Sequence, residues 1–183
     1  MPSQLLKRLM EWRSSRLRGQ KLYGAIVAQA RLPVFCRSLS VADSVEGRFG
    51  LVVLHLFAVL HSLHGQGEKG APLAQALTDR FAEDMETVLR EMGVSDLKVP
   101  KQMRSLAASS RGLIDGYEAA WKLGPKALAA AIADTLPFVE EGGGPGSDRL
   151  SSYLRESIEH IERQSLLELE EGIVAFAEVP TKQ

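Results

Sequence analysis

The chain has 183 residues, 45% of them hydrophobic and 25% charged, with a net charge of −1. That is an ordinary globular balance, long enough for one domain with a full hydrophobic core, and a nearly neutral total offers nothing to nucleic acid as a specific ligand. The single cysteine, Cys36, excludes an intrachain disulfide, fits a reducing compartment, and has neither a second cysteine nor a local histidine with which to hold zinc or run redox chemistry.

Charge is unevenly spread. Residues 1–21 carry Lys7, Arg8, Arg13, Arg16, Arg18 and Lys21 against Glu11 alone. Residues 134–178 carry eleven acids against Arg149, Arg155 and Arg163. A basic front and an acidic rear either dock on each other or face separate partners.

Taken in order, the segment 3–17 puts Leu5, Leu9 and Trp12 on one helical stripe with Lys7, Arg8 and Arg13 off it, which predicts a basic amphipathic helix. Such a helix either packs on the body or lies on an anionic membrane surface, where Lys7, Arg8, Arg13 and Arg16 would meet headgroups and Trp12 the interface. Its Arg- and Ser-rich composition is also that of a transit peptide, but it runs into the fold with only Gly19 as a break. Residues 20–31 repeat the apolar pattern with Leu22, Tyr23, Ile26 and Ala30, and Pro33 ends that helix. VFCRSL reads as a short turn.

The stretch 43–64 is the centre of the pattern. Asp43 is placed to cap a helix, with Glu46 three residues on in a capping-box-like pair. Between Leu51 and Leu60 only His55 interrupts an apolar run. The run is about 12 residues, short of the ~18–20 of a membrane span, so it predicts the buried centre of a helical bundle. After a glycine-rich turn, residues 72–92 form a helix with Leu73, Leu77, Phe81, Met85, Val88 and Met92 as its inner stripe and Gly93 as its stop. The acids on its other face lack the Glu-x-x-His ligand pattern of di-metal bundles, so no metal site is assigned.

A loop at 94–99 precedes a helix at 100–122 with Met103, Leu106, Ala107, Leu113, Ile114, Tyr117 and Trp121 inside. Gly112 and Gly116, four apart, either admit close helix approach or weaken it. Lys98 to Lys126 holds six basic residues and two acids, without the interleaved exposed aromatics of a nucleic-acid groove. An alanine-rich helix at 126–136 ends at Pro137. EEGGGPGSD at 140–148 is a loop or weak boundary. Ser147 or Asp148 caps a last helix at 149–171, with Leu150, Tyr153, Leu154, Ile158, Ile161 and Leu169 inside and Gly172 at its end. The tail IVAFAEV reads as a short strand or an irregular docked segment. The fold class is therefore all-α, a single-domain bundle of about six to seven helices around a buried central helix near 44–64. Its units are 1–19, 20–139, 140–148 and 149–183.

Little catalytic chemistry is legible. His61 and His64 share a helix face while His55 and His64 lie on opposite sides, so the three cannot chelate one ion. His55 reads as a hydrogen-bonded core histidine, with haem ligation as its sharper alternative. Cys36 lacks the turn motif and third member of a catalytic set. No P-loop, GxGxxG or HExxH is present. No catalytic, cofactor-binding or metal residue is assigned, and the reading is of a protein that is not an enzyme.

Four blocks carry more than periodicity. YGAIVAQAR at 23–31 followed by LPVF, VADSVEGRFGLVVLHLFAVLHSL at 41–63 with its D-x-x-x-GRF element, DMETVLREMGVSDLKVPKQM at 84–103, and GLIDGYEAAW at 112–121 together resemble the ubiquinol–cytochrome c chaperone family. The resemblance covers about residues 20–135 and is weaker before and after. It implies a non-enzymatic assembly factor for the respiratory cytochrome bc complex that acts on newly made cytochrome b, with no cofactor. It also implies a place in the cytoplasm peripheral to the inner membrane in a bacterium, to which the short chain points, or on the matrix side of the mitochondrial inner membrane. A small partner protein and ribosome contact, known from mitochondrial members, are left open. Surface residues of the matched blocks, Arg31, Arg48, Arg90, Glu91, Asp96, Lys98 and Lys101, are the candidate partner contacts, each with the alternative of merely tying loops to helices. The rival reading is a helical membrane-surface or protein-interaction module without a respiratory role.

Overall fold

The computed structural model describes residues 2–139 and 144–180; the front of the glycine-rich stretch (140–143), the terminal residues 1 and 181–183 and the side chains of Pro2, Ser3 and Leu5 lie outside the described residues. Among the described residues the chain forms eight α-helices: α1 (Pro2–Ala30), α2 (Val34–Leu39), α3 (Val45–Gly65), α4 (Ala71–Glu91), α5 (Val99–Leu123), α6 (Pro125–Thr135), α7 (Gly144–Glu162) and α8 (Leu166–Glu170). The nearest thing to a sheet among them is one isolated antiparallel bridge, Val41 to Phe138, which ties the approach to α3 to the end of α6. The all-α expectation holds.

The central helix is α3, and α1, α4, α5 and α7 pack around it. Leu51 and every residue from Val53 to Leu60 are buried, leaving Val52 half-buried. Each large apolar side chain so removed from water contributes ~1.5–3 kcal/mol, which is why the other helices gather on this run. The whole 21-residue helix is long and apolar enough to cross a membrane, which its central run alone did not indicate, but 67% of that apolar window is buried by its neighbours.

The start of α3 differs from the expected cap. Ser44, in extended conformation, accepts a hydrogen bond from the Gly47 amide at 3.1 Å, while Asp43 accepts from Arg48 at 2.8 Å. With the cap shifted by one residue, the third helical position falls on Gly47, which has no side chain to close a capping box. A larger residue does not fit there: a Cβ on Gly47 would lie 2.1 Å from the Ala42 carbonyl oxygen.

Gly19 does not break a helix either, and α1 runs unbroken from Pro2 to Ala30. A Cβ on Gly19 would lie 2.4 Å from the Ala76 carbonyl oxygen, so the glycine is the point where α1 and α4 approach backbone to backbone. Behind it Leu22, Tyr23, Ile26 and Ala30 are buried; ahead of it the helix stands almost wholly in solvent.

Other boundaries move for local reasons. VFCRSL is a six-residue helix with Phe35 and Leu39 buried, not a turn. The α4 stripe leaves the body after Met85: Val88 is 39% and Met92 70% exposed. Ala107 on α5 is exposed, whereas Tyr117 and Ala120 are buried. Cβ atoms at Gly112 and Gly116 would meet nothing within 4 Å, so no neighbouring helix closes on them among the described residues. α7 begins at Gly144, which puts Ser147 and Asp148 inside its first turns, and Ser147 Oγ donates to the Gly144 carbonyl at 3.1 Å. The predicted long last helix is two, because Ser165 restarts the chain with a capping box to Glu168. The tail is irregular and docked: the Ala177 amide donates to Ser157 Oγ at 3.0 Å and Ala177 is buried.

Candidate functional site

The polar groups inside the bundle are mostly occupied with one another; among the described residues the buried Arg155 Nη1 has no hydrogen-bond partner. His55 on α3 is fully buried, with Nδ1 2.7 Å from the Leu51 carbonyl and Nε2 2.8 Å from Tyr153 Oη of α7. Gln29 of α1 donates its amide to the same Oη at 3.0 Å. The directions close consistently: Gln29 donates to Tyr153, Tyr153 donates to His55 Nε2, and His55 Nδ1–H donates to the helix carbonyl. Burial holds the imidazole neutral by pushing its pKa down to about 4, and burial pushes the Tyr153 hydroxyl up to about 12. Phe35 of α2 and Phe176 of the tail meet the imidazole edge-on at 5.1 and 5.2 Å between ring centres. Both imidazole nitrogens are therefore engaged, and neither is free for a haem iron. The cluster joins α1, α2, α3, α7 and the tail.

A second polar cluster, half-buried, sits between α3, α5 and α7. His61 Nδ1 lies 2.6 Å from Glu118, and its ring lies 4.9 Å from that of Trp121. The Arg155 guanidinium covers the other partner of this group, 4.4 Å from the centre of the Trp121 ring. Burial alone would raise the Glu118 carboxyl, but hydrogen bonds and charge from His61 and Lys122 outweigh it and hold it low. Burial also raises the Cys36 thiol, with Asp43 adding and Arg48 opposing, so it carries no activated thiolate. Among the described residues no group of His, Cys, Asp and Glu is arranged to hold a metal ion.

The surface carries further groups that the bundle does not use. At the turn between α4 and α5, Gly93 adopts φ +81° and ends α4, and Val99 is buried as α5 begins. Between them Arg90 donates to Glu86 at 2.9 Å and to Asp96, and those two hydrogen bonds raise its pKa further. Glu91, Lys98 and Lys101 stand exposed beside this pair. In their midst Leu97 is 94% exposed and Met92 70%. Arg90, Glu91, Asp96, Lys98 and Lys101 are thus brought together, while Arg31 and Arg48 are not. Arg31 ends α1, where its charge acts on Tyr23, and Arg48 pairs with Asp43 at the mouth of α3. Periodicity missed Met92 by assigning it to the inner stripe, and missed Leu97 altogether. The available signal was position: one lies next to the helix stop, the other in a charged loop where nothing can cover it.

Of the two alternatives for the basic front, docking on the acidic rear is realised only at its inner end. Arg18 reaches Glu170 at 3.4 Å and Lys21 reaches Glu171 at 2.5 Å. Arg16 reaches Glu83 of α4 at 3.0 Å and stacks over Trp12. Lys7, Arg8, Trp12 and Arg13 lie further out and exposed, and Lys7 approaches Glu11 at 4.0 Å.

A family model described as ubiquinol–cytochrome C chaperone matches residues 37–176. The crystal structure of the Cbp3 homolog from Brucella abortus superposes with a TM-score of 0.79 at 30% identity, covering 98% of each chain. A search of the curated proteins finds no match. The chain belongs to the ubiquinol–cytochrome C chaperone family. Membership supports a non-enzymatic chaperone role in assembly of the cytochrome bc complex. The match extends through α7 and α8 into the tail, beyond the sequence resemblance at 20–135, and begins after α1.

Proposed function

We propose that this chain is an assembly chaperone of the cytochrome bc complex that binds newly made cytochrome b, and that the α4–α5 turn is its client contact. The family match over residues 37–176 carries the reading. The turn supports the choice of surface. A client made of apolar membrane segments needs an apolar receptor that does not collapse on itself, and Met92 and Leu97 provide one while Arg90, Asp96, Lys98 and Lys101 keep it soluble and oriented. Methionine adds an adaptable side chain suited to irregular apolar partners.

Two measurements test this. Cells lacking the gene should lose assembled cytochrome bc complex while keeping its transcripts; normal complex levels would remove the function. Affinity-tagged protein should recover cytochrome b, and Met92→Glu with Leu97→Glu, or charge reversal at Lys98 and Lys101, should lower that recovery several-fold. Undiminished recovery from both variants would move the contact elsewhere on the molecule.

A further inference from the structure

The front of α1, residues 2–17, is about 24 Å of helix, and its inner end meets the body where Arg16 reaches Glu83 of α4. Leu6 is 60%, Leu9 52%, Met10 69%, Trp12 55% and Leu17 53% exposed. Leu6, Arg8, Leu9 and Trp12 line a shallow depression there. At about 100° per residue, Trp12, Leu9, Leu6, Leu17 and Met10 occupy an arc of roughly 160°. The residues that α1 buries further back, Leu22, Tyr23, Ile26 and Ala30, centre on a direction roughly 110° away. Leu6, Leu9, Met10 and Leu17 thus form a second face of the helix, turned away from the one that packs on α3 and α4, while Trp12 sits at its edge, on the outer end of the packing face.

Charge says what covers it. Lys7, Arg8, Arg13 and Arg16 share this segment with Glu11 alone. The body supplies Glu83 opposite Arg16, then Glu170 and Glu171 further back. Lys7 and Arg8 flank the apolar arc, and Arg13 falls within it between Leu9 and Leu6, all three on exposed positions. A second copy laid on the same face would bring cations against cations. A surface that is apolar beneath and anionic above satisfies both components at once: leucines and Trp12 enter the acyl boundary, and the long basic side chains reach back to the headgroups.

We propose that the front half of α1 docks the protein on an anionic lipid bilayer, lying in the plane of the surface. Because α1 is unbroken and fixed to α4 at Gly19, the docked helix sets the orientation of the whole bundle to the membrane. This inference stands apart from the identity of the client.

The test uses the full chain with vesicles of phosphatidylcholine containing about one third phosphatidylglycerol, against phosphatidylcholine alone. Co-sedimentation should be strong with the anionic vesicles only and should fall with added salt. The double variants Arg8→Glu/Arg13→Glu and Leu6→Glu/Leu9→Glu should each bind at least ten-fold more weakly, with far-ultraviolet circular dichroism of the body unchanged. Vesicles should blue-shift the tryptophan emission, and Trp12→Phe should abolish the shift while keeping binding. Equal binding to both vesicle types, or unaltered binding by both double variants, overturns the proposal. So does a dimer in analytical ultracentrifugation that the leucine substitutions disperse. Recovery of cytochrome b plays no part in these readings, so a failure here is distinct from a failure of the client assignment.

Discussion

The interior around His55 and the turn between α4 and α5 are opposite kinds of polar assembly. In the first, Gln29, Tyr153, His55 and the Leu51 carbonyl use one another's donors and acceptors in a single direction, sealed by Phe35 and Phe176. In the second, ion pairs lie open to solvent around two apolar side chains that touch little. The family signature runs through both, so matched residues divide into those that hold the bundle and those that face outward. Buried polar groups are expensive to leave unpaired, whereas exposed ion pairs contribute little, so perturbing the two regions should give separable results.

The largest expected effect is on packing. Phe35→Ala empties a fully buried aromatic site and should cost about 3–5 kcal/mol, read as a fall in the denaturant midpoint at unchanged slope. The equivalent loss at Leu97 should be within about 0.5 kcal/mol. A similar cost for both would erase the contrast.

Acid comes next. The His55 pKa lies near 4 in the folded protein and at the ordinary 6.5 when unfolded. Between those values the unfolded chain binds the extra proton, so stability falls as pH drops from 6.5 toward 4, by about 2–3 kcal/mol in all, and is fully present above 6.5. Unfolding curves measured across that range, compared with His55→Phe, check the assignment: the variant should lose this part of the pH slope. Removing one hydroxyl sharpens the same point. Tyr153→Phe leaves His55 Nε2 and the Gln29 amide without their partner and should destabilise by about 1–3 kcal/mol, measured by thermal or denaturant unfolding. The smallest stability effect belongs to Met92→Glu/Leu97→Glu, which should leave the unfolding midpoint almost unmoved while lowering cytochrome b recovery. A large loss of stability there would mean that the turn is scaffold.

Much of the bundle was legible because its helices alternate apolar and polar residues with helical period, and because the Leu51–Leu60 run has no other stable place than a core. The core role of His55 was legible for the same reason, being a single polar residue inside that run. Its partners were not. Gln29 and Tyr153 lie in helices far apart in sequence, and only packing brings their polar ends to one imidazole. The starts of α3 and α7 lie a few residues from those expected because Asp43 and Ser147 are also good capping types, and residue type alone does not choose among neighbouring candidates. Of the candidate surface residues, those between Arg90 and Lys101 were bound to be neighbours by sequence proximity alone. The separation of Arg31 and Arg48 from them was a matter of topology.

The sequence by itself determined an all-helical chain, its central apolar helix and its family, since periodicity, run length and ordered signature blocks are local properties. Tertiary structure decided which apolar residues go unburied. Met92 continues the inner stripe of α4 and Trp12 that of α1, yet both stand exposed where the helices outrun their neighbours. A stripe is buried only as far as a partner helix extends beside it, and that length is set by how the helices cross.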